Sequence, residues 1–150
     1  MRGTTFAAQA TRLGRTALAE SIGVIVDTSI FVALEQGRPI RRVELPAVKA
    51  VSVVTMAELR LAVLNASNLS DQVKRLQTLE RAIKVRAVPI DETIAFQWAV
   101  LRSAARSLSQ SRINDLWIAA TALALQVPVV TQDDGFVRLA EVGGPKVIRI

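Results

Sequence analysis

Four acidic residues stand where their chemistry could combine. Asp27 closes the run VIVD, Glu58 closes VVTMAE, Asp133 closes VVTQD, and Asp115 opens the uncharged stretch from Leu116 to Val130. Three of the four fall where a β-rich run gives way to a helix or loop. In an open parallel sheet, ligands bind outside the carboxyl ends of the strands, so side chains far apart in sequence converge there. Gathered carboxylates repel one another and raise their own pKa values, and a divalent cation relieves that repulsion. The chain contains no His and no Cys, which leaves oxygen-only ligation and favours Mg²⁺ or Mn²⁺ over Zn²⁺. Glu58 is flanked by Met56, Ala57, Leu59, Leu61, Ala62 and Val63. A carboxylate on so apolar an element must be protonated, paired with a cation or bound to metal.

Each acid also has a simpler reading as a helix cap. Asp27 can cap a helix beginning near Ser29, Thr55-x-x-Glu58 fits a capping box, Asn114 or Asp115 can precede a helix from Leu116, and Asp133 or Asp134 can cap a short helix ending near Leu139. Four caps at one edge of one sheet make a less economical account than one acidic metal site. Asp91, by contrast, reads as the cap of an ordinary amphipathic helix.

The elements that must position these acids are legible from residue 23 onward. Strand candidates are 23–26, 51–54, 85–90, 127–131 and 146–150, and four of the five are continuous apolar runs, as expected for strands covered on both faces. Between them, Ser70 is a candidate cap for an amphipathic helix over 70–84 with Val73, Leu76, Leu79 and Ile83 on its stripe. A second helix spans 91–108 with Ile94, Trp98, Leu101, Ala105 and Leu108 inward, and 116–125 reads as a core helix, apolar on every side except Thr121. Alternating strands and helices imply an α/β domain with a mostly parallel sheet over residues 22–150. Residues 1–21, basic and rich in Ala and Thr, read as a flexible extension outside that domain.

Composition narrows the function classes. The 150 residues suit one domain with a real core. Without His or Cys there is no Ser-His-Asp or Cys-His constellation, no His/Cys zinc site and no disulfide framework. The glycines spell neither a dinucleotide fingerprint nor a phosphate-binding loop. The apolar stretch 116–130 is too short to span a bilayer, and the absence of Cys suits a reducing, cytoplasmic setting. Aromatic residues make up 4% of the chain, too few for a base-stacking platform. Lys and Arg number 19 against 13 Asp and Glu, a net charge of +6 that suits a polyanionic partner. Arg102, Arg106 and Arg112 are candidates for holding a nucleic-acid backbone.

The segments VIVDTSIFVAL, VVTMAEL, INDLWIAATAL and VVTQDDGFVRL, in that order, resemble the acidic motifs of PIN-domain ribonucleases, and most nearly the VapC-type toxins of bacterial toxin–antitoxin pairs. The resemblance implies a PIN-like α/β/α sandwich and a Mg²⁺- or Mn²⁺-dependent endoribonuclease. It carries the family's metal-site acids onto Asp27, Glu58, Asp115 and Asp133, with Ser29 orienting the first acid and Asn114 and Thr131 in support. The pattern T-x-D-x-x-F, matched by Thr131, Asp133 and Phe136, favours Asp133 over Asp134. It further implies an RNA substrate, a VapB-like antitoxin, and a homodimer or toxin–antitoxin hetero-oligomer. The alternative is a catalytically idle PIN-like module that binds RNA or protein.

Overall fold

The computed structural model describes residues 21–108 and 112–150; the extension expected before residue 22 lies almost wholly outside them. Strands β1 (Val24–Val26), β2 (Lys49–Ser52), β3 (Arg86–Val88), β4 (Val129–Thr131) and β5 (Val147–Arg149) form one sheet in the order β3-β2-β1-β4-β5. Every pairing is parallel. The helices are α1 (Thr28–Glu35), α2 (Val53–Leu64), α3 (Leu69–Ile83), α4 (Glu92–Ala104), α5 (Ile113–Leu125) and α6 (Asp134–Glu141), with a 3₁₀ turn at Ala105–Ser107.

The two-residue period of the strands builds the layers. Val24, Val26, Val51 and Val130 face a core made with Ile30 and Phe31 of α1, Met56 and Leu59 of α2, and Leu79 and Ala82 of α3. Ile25, Ala50 and Val129 face the opposite core, made with α4, α5 and α6. The expected α/β/α sandwich is thus the observed one. β1 and β4 are wholly buried, whereas β3 and β5 form the edges and are partly exposed. The helix foreseen at 116–125 is indeed the core helix: Leu116, Ile118, Ala119, Ala120, Thr121 and Ala122 of α5 are all buried.

Several local expectations are corrected. The second strand ends at Ser52 rather than residue 54, because the Ser52 hydroxyl accepts from Val54 N–H at 3.2 Å and caps α2 there. The helix therefore begins before Thr55, and the capping box with Glu58 does not form. Asn68, not Ser70, caps α3, its side chain accepting from Asp71 N–H at 2.9 Å. In α3 only Leu79 of the expected stripe is buried; Val73, Leu76 and Ile83 are exposed. Asp91 caps α4 as expected, accepting from Ile94 N–H at 3.0 Å. Trp98 and Trp117 stack with centroids 4.9 Å apart and pack against the core between α4 and α5.

The sheet's order reverses beside β1, which places a topological switch between β1 and β4, where parallel sheets build their sites. Small residues let α5 lie close against that centre, since Ala119, Ala120 and Ala122 share a core with Ile25, Ala50 and Val129. Overfilling this contact is predicted to be costly: Ala120→Leu lowers stability by about 1–3 kcal/mol, measured as a reduced urea midpoint at unchanged slope.

Candidate functional site

At the carboxyl edge of β1 and β4, Asp27, Thr28, Ser29, Glu58, Arg112, Asp115, Gln132, Asp133 and Asp134 join Val32 and Arg38 around a cleft of about 550 Å³. The structure brings all four sequence-predicted acids to this one cleft. Among the described residues no three or more carboxylates close around a single ion position.

Asp27 follows the last residue of β1 and caps α1, yet it is only 3% exposed. Its Oδ2 accepts from Ser29 N–H at 3.3 Å and from the Thr131 hydroxyl at 2.8 Å. Ser29 Oγ lies within hydrogen-bond distance of Thr131 Oγ1, at 3.2 Å. Ser29 Oγ accepts in turn from Gln132 N–H at 3.0 Å, and Asp133 N–H donates to Thr131 Oγ1 at 2.9 Å. Ser29 and Thr131, the two residues expected to support the acids, thus lie in one chain of bonds beside Asp27, Thr131 reaching it through its hydroxyl and Ser29 through its amide and its hydroxyl. Burial raises the Asp27 pKa above the ordinary carboxylate value, and the hydrogen bonds from Ser29 and Thr131 pull it partly back.

Glu58 lies one turn into α2, half-buried rather than enclosed. Its apolar neighbours Ala57 and Leu61 are themselves exposed, so the argument from burial is weaker than the sequence suggests. The Thr28 hydroxyl, which also lies 3.1 Å from Thr55 Oγ1, donates to Glu58 Oε1 at 2.8 Å. That contact ties α1 to α2 across the cleft.

Asp115 does not cap α5. The helix starts earlier, at Ile113, and Arg112 occupies the cap position without a side-chain bond. Asp115 therefore stands in the first turn, where the helix dipole favours its anion. Burial and the charges of Asp27, Asp133 and Glu58 nevertheless outweigh that effect and the nearby Arg112, pushing its pKa up to about 7.

Asp133 caps α6, its Oδ1 accepting from Gly135 N–H at 2.8 Å, and its Oδ2 lies 3.8 Å from Arg112. Asp134 is differently engaged: its side chain is largely exposed and pairs with Arg149. A Cβ added at Gly135 would stand 3.1 Å from Asp133 Oδ1 and 3.7 Å from Asp115 Oδ2. The missing side chain keeps room beside two of the carboxylates, and with an all-oxygen donor set that room fits a hard divalent cation.

Of the predicted basic residues, Arg112 lines the cleft, whereas Arg102 and Arg106 do not. Arg106 Nε donates to Ser103 O at 3.3 Å on the exposed turn after α4. Asn114 is exposed and lines a neighbouring apolar hollow with Val54, Ala57, Glu58, Leu61, Ile90 and Trp117, not the acidic cleft. Sequence reasoning missed Arg38, which faces the acids from the loop after α1. The available signal was the run RPIRR at 38–42, three arginines in five residues between a helix and a strand.

Comparison with known proteins places this site in context. Residues 24–142 match the PIN domain family model. Over 127 residues, 84% of this chain and 94% of the relative, the sequence is 42% identical to Ribonuclease VapC5 of Mycobacterium tuberculosis. It is 39% identical to Ribonuclease VapC4 of the same organism over 79% of this chain and 92% of the relative. The fold aligns with the crystal structure of VapBC-5, a member of the VapBC family of toxin-antitoxin systems from Mycobacterium tuberculosis, with a TM-score of 0.68 and 40% identity over 87% of this chain and 98% of that one.

The raised pKa of Asp115 predicts a pH dependence with a definite sign. Its native value of about 7 lies above the ordinary 3.8, so its contribution to stability is fully present below that ordinary value and is lost as the pH rises through 7. Asp27, also shifted upward, acts in the same direction. In EDTA, the melting temperature should fall between about pH 5 and about pH 8. Asp115→Asn should flatten that fall and raise the melting temperature at the upper pH by a few degrees; calorimetry across the range checks it.

Proposed function

The chain belongs to the PIN-domain family, and from that membership we propose that it is a divalent-cation-dependent endoribonuclease, the toxin of a toxin–antitoxin pair. The carrying observation is the convergence of Asp27, Glu58, Asp115 and Asp133 from separate segments on one cleft. A cluster in which burial, and then the charges of Asp27, Asp133 and Glu58, push Asp115 up to about 7 is suited to holding a positive charge. Oxygen-only donors select Mg²⁺ or Mn²⁺. Asp27, Asp115 and Asp133 would hold the ion directly, and Glu58 directly or through a water. When bound, the ion supplies Lewis acidity toward the phosphodiester and a lowered pKa for the attacking water.

The chain's own residues prepare that chemistry. Thr131 and the Ser29 amide set the direction of the Asp27 carboxylate, and Thr28 sets that of Glu58. Arg112, exposed at the rim, would meet the RNA backbone.

The VapBC-5 structure is named as that of a toxin–antitoxin system, and we carry a VapB-like antitoxin over to this chain as its silencing partner. Leu61 and Leu64 of α2 and Leu69, Val73 and Leu76 of α3 are large, apolar and exposed. They are candidate contacts for that partner or for a second copy of the chain. Among the described residues no helix is long and apolar enough to cross a membrane.

Purified protein freed of antitoxin is expected to cut total cellular RNA into discrete fragments with Mg²⁺ or Mn²⁺ and to leave it intact with EDTA. Asp27→Asn and Asp115→Asn should each lower the rate by more than the roughly 10- to 100-fold that loss of an outer-shell partner costs, with circular dichroism unchanged. Intact RNA with folded, metal-loaded wild type would turn the reading to a catalytically idle binding module.

A further inference from the structure

An RNA strand approaching the cleft meets five carboxylates, Asp27, Glu58, Asp115, Asp133 and Asp134, and two guanidinium groups, Arg38 and Arg112. The chain's positive charge therefore helps only if cations stand at the rim to hold the phosphates that cross it. Of the two, Arg112 is partly engaged, 3.8 Å from Asp133. Arg38 is exposed, and among the described residues its side chain makes no ion pair or hydrogen bond.

Its backbone, by contrast, is firmly held. Gly37, at φ 64°, ends α1 in a left-handed turn, with Gly37 N–H donating to Leu34 O at 3.3 Å and Arg38 N–H to Ala33 O at 2.9 Å, the paired bonds of a Schellman cap. Pro39 O accepts from Gln132 Nε2 at 2.9 Å, and Arg41 Nη2 donates to Arg149 O at 2.7 Å. Arg149 in turn donates to Gln132 O at 2.9 Å and pairs with Asp134. These bonds fasten the loop to the end of β4 and to β5, beside Asp133. Arg41 and Arg149 are consumed in the fastening, whereas Arg38 is left facing the acids.

We infer that the 38–42 loop is a phosphate-binding rim of the cleft, in which Arg38 holds a backbone phosphate of the substrate strand. The inference rests on the ribonuclease reading for the identity of the strand. Arg38 and Arg112 line the same cleft, so a strand held by both would lie across the carboxylates. Contacts to phosphate carry no base information, so Arg38 adds affinity and register without selecting sequence.

The test is binding of a labelled, mixed-sequence single-stranded RNA in Mg²⁺, followed by fluorescence anisotropy on an Asp27→Asn background so that no cleavage occurs. Adding Arg38→Ala should weaken binding about tenfold and reduce the slope of log affinity against log salt by about 0.7. Arg38→Lys should keep the slope, and Arg81→Ala, on α3, should change neither quantity. In the cleaving enzyme, Arg38→Ala should raise KM with kcat nearly unchanged. Equal affinity and slope with and without Arg38, or no measurable binding by the Asp27→Asn protein, overturns the inference. Wild type that leaves RNA intact while the Arg38-dependent binding persists overturns the ribonuclease reading and keeps the rim.

Discussion

The burial of Asp27 is the constraint on which the rest of the site depends. An ionised carboxylate at the end of a wholly buried strand must be supplied with hydrogen bonds. Here they come from two directions: the first amides of α1 and the hydroxyl at the end of β4. Satisfying that one acid consequently joins the ends of two neighbouring strands. It positions Ser29 between Thr131 and Gln132, and it places Asp133 two residues after the threonine that donates to Asp27. The register of β1 against β4, which pairs Val26 with Val130, brings Asp27 and Thr131 level with each other.

Cap and ligand readings looked like rivals at the level of sequence, and at two positions the cap is formed by an acid of the cleft. Asp27 and Asp133 each accept from an amide of the helix they precede. Capping stabilises the helix by about 1 kcal/mol and fixes the direction of the carboxylate in the same act. Glu58 and Asp115 are not caps, and each is controlled otherwise: Glu58 by the Thr28 hydroxyl, Asp115 by burial in a helix whose neighbours are core residues. The site thus combines two acids held by backbone amides with two held by side chains and packing.

Much of the fold was legible because its central elements are buried on all sides and read as continuous apolar runs. β1, β4 and α5 are of this kind. The misread positions have two causes. Periodicity marks an apolar stripe but not what covers it, so Val73, Leu76 and Ile83 of α3 were expected inward and stand exposed. Helix starts were displaced at α2, α3 and α5 because several hydroxyl, amide and acidic side chains competed for each cap. The acids themselves were recognisable from their place after β-rich runs, since that place determines the sheet edge on which they meet. Arg38 was not recognisable, because an arginine in a polar loop looks solvated until the loop is seen fastened to β4 and β5. Arg102 and Arg106 differ from it in place, exposed and basic but outside the cleft.

The distribution of charge follows from the same geometry. A chain of net charge +6 places five of its 13 acidic residues around the cleft at the switch point, Asp27, Glu58, Asp115, Asp133 and Asp134. Such a concentration costs stability in the metal-free state, because Asp115 must either take a proton or ionise beside like charges. Elsewhere the fold relieves the strain with cations that stop short of filling the cleft: Arg149 neutralises Asp134 from outside, and Arg112 stands beside Asp133 without closing on it. Full pairing of every acid would have produced a more stable protein with nothing left to bind a cation. Stability forgone at Asp115 and the cation binding proposed for the cleft are therefore two descriptions of one arrangement.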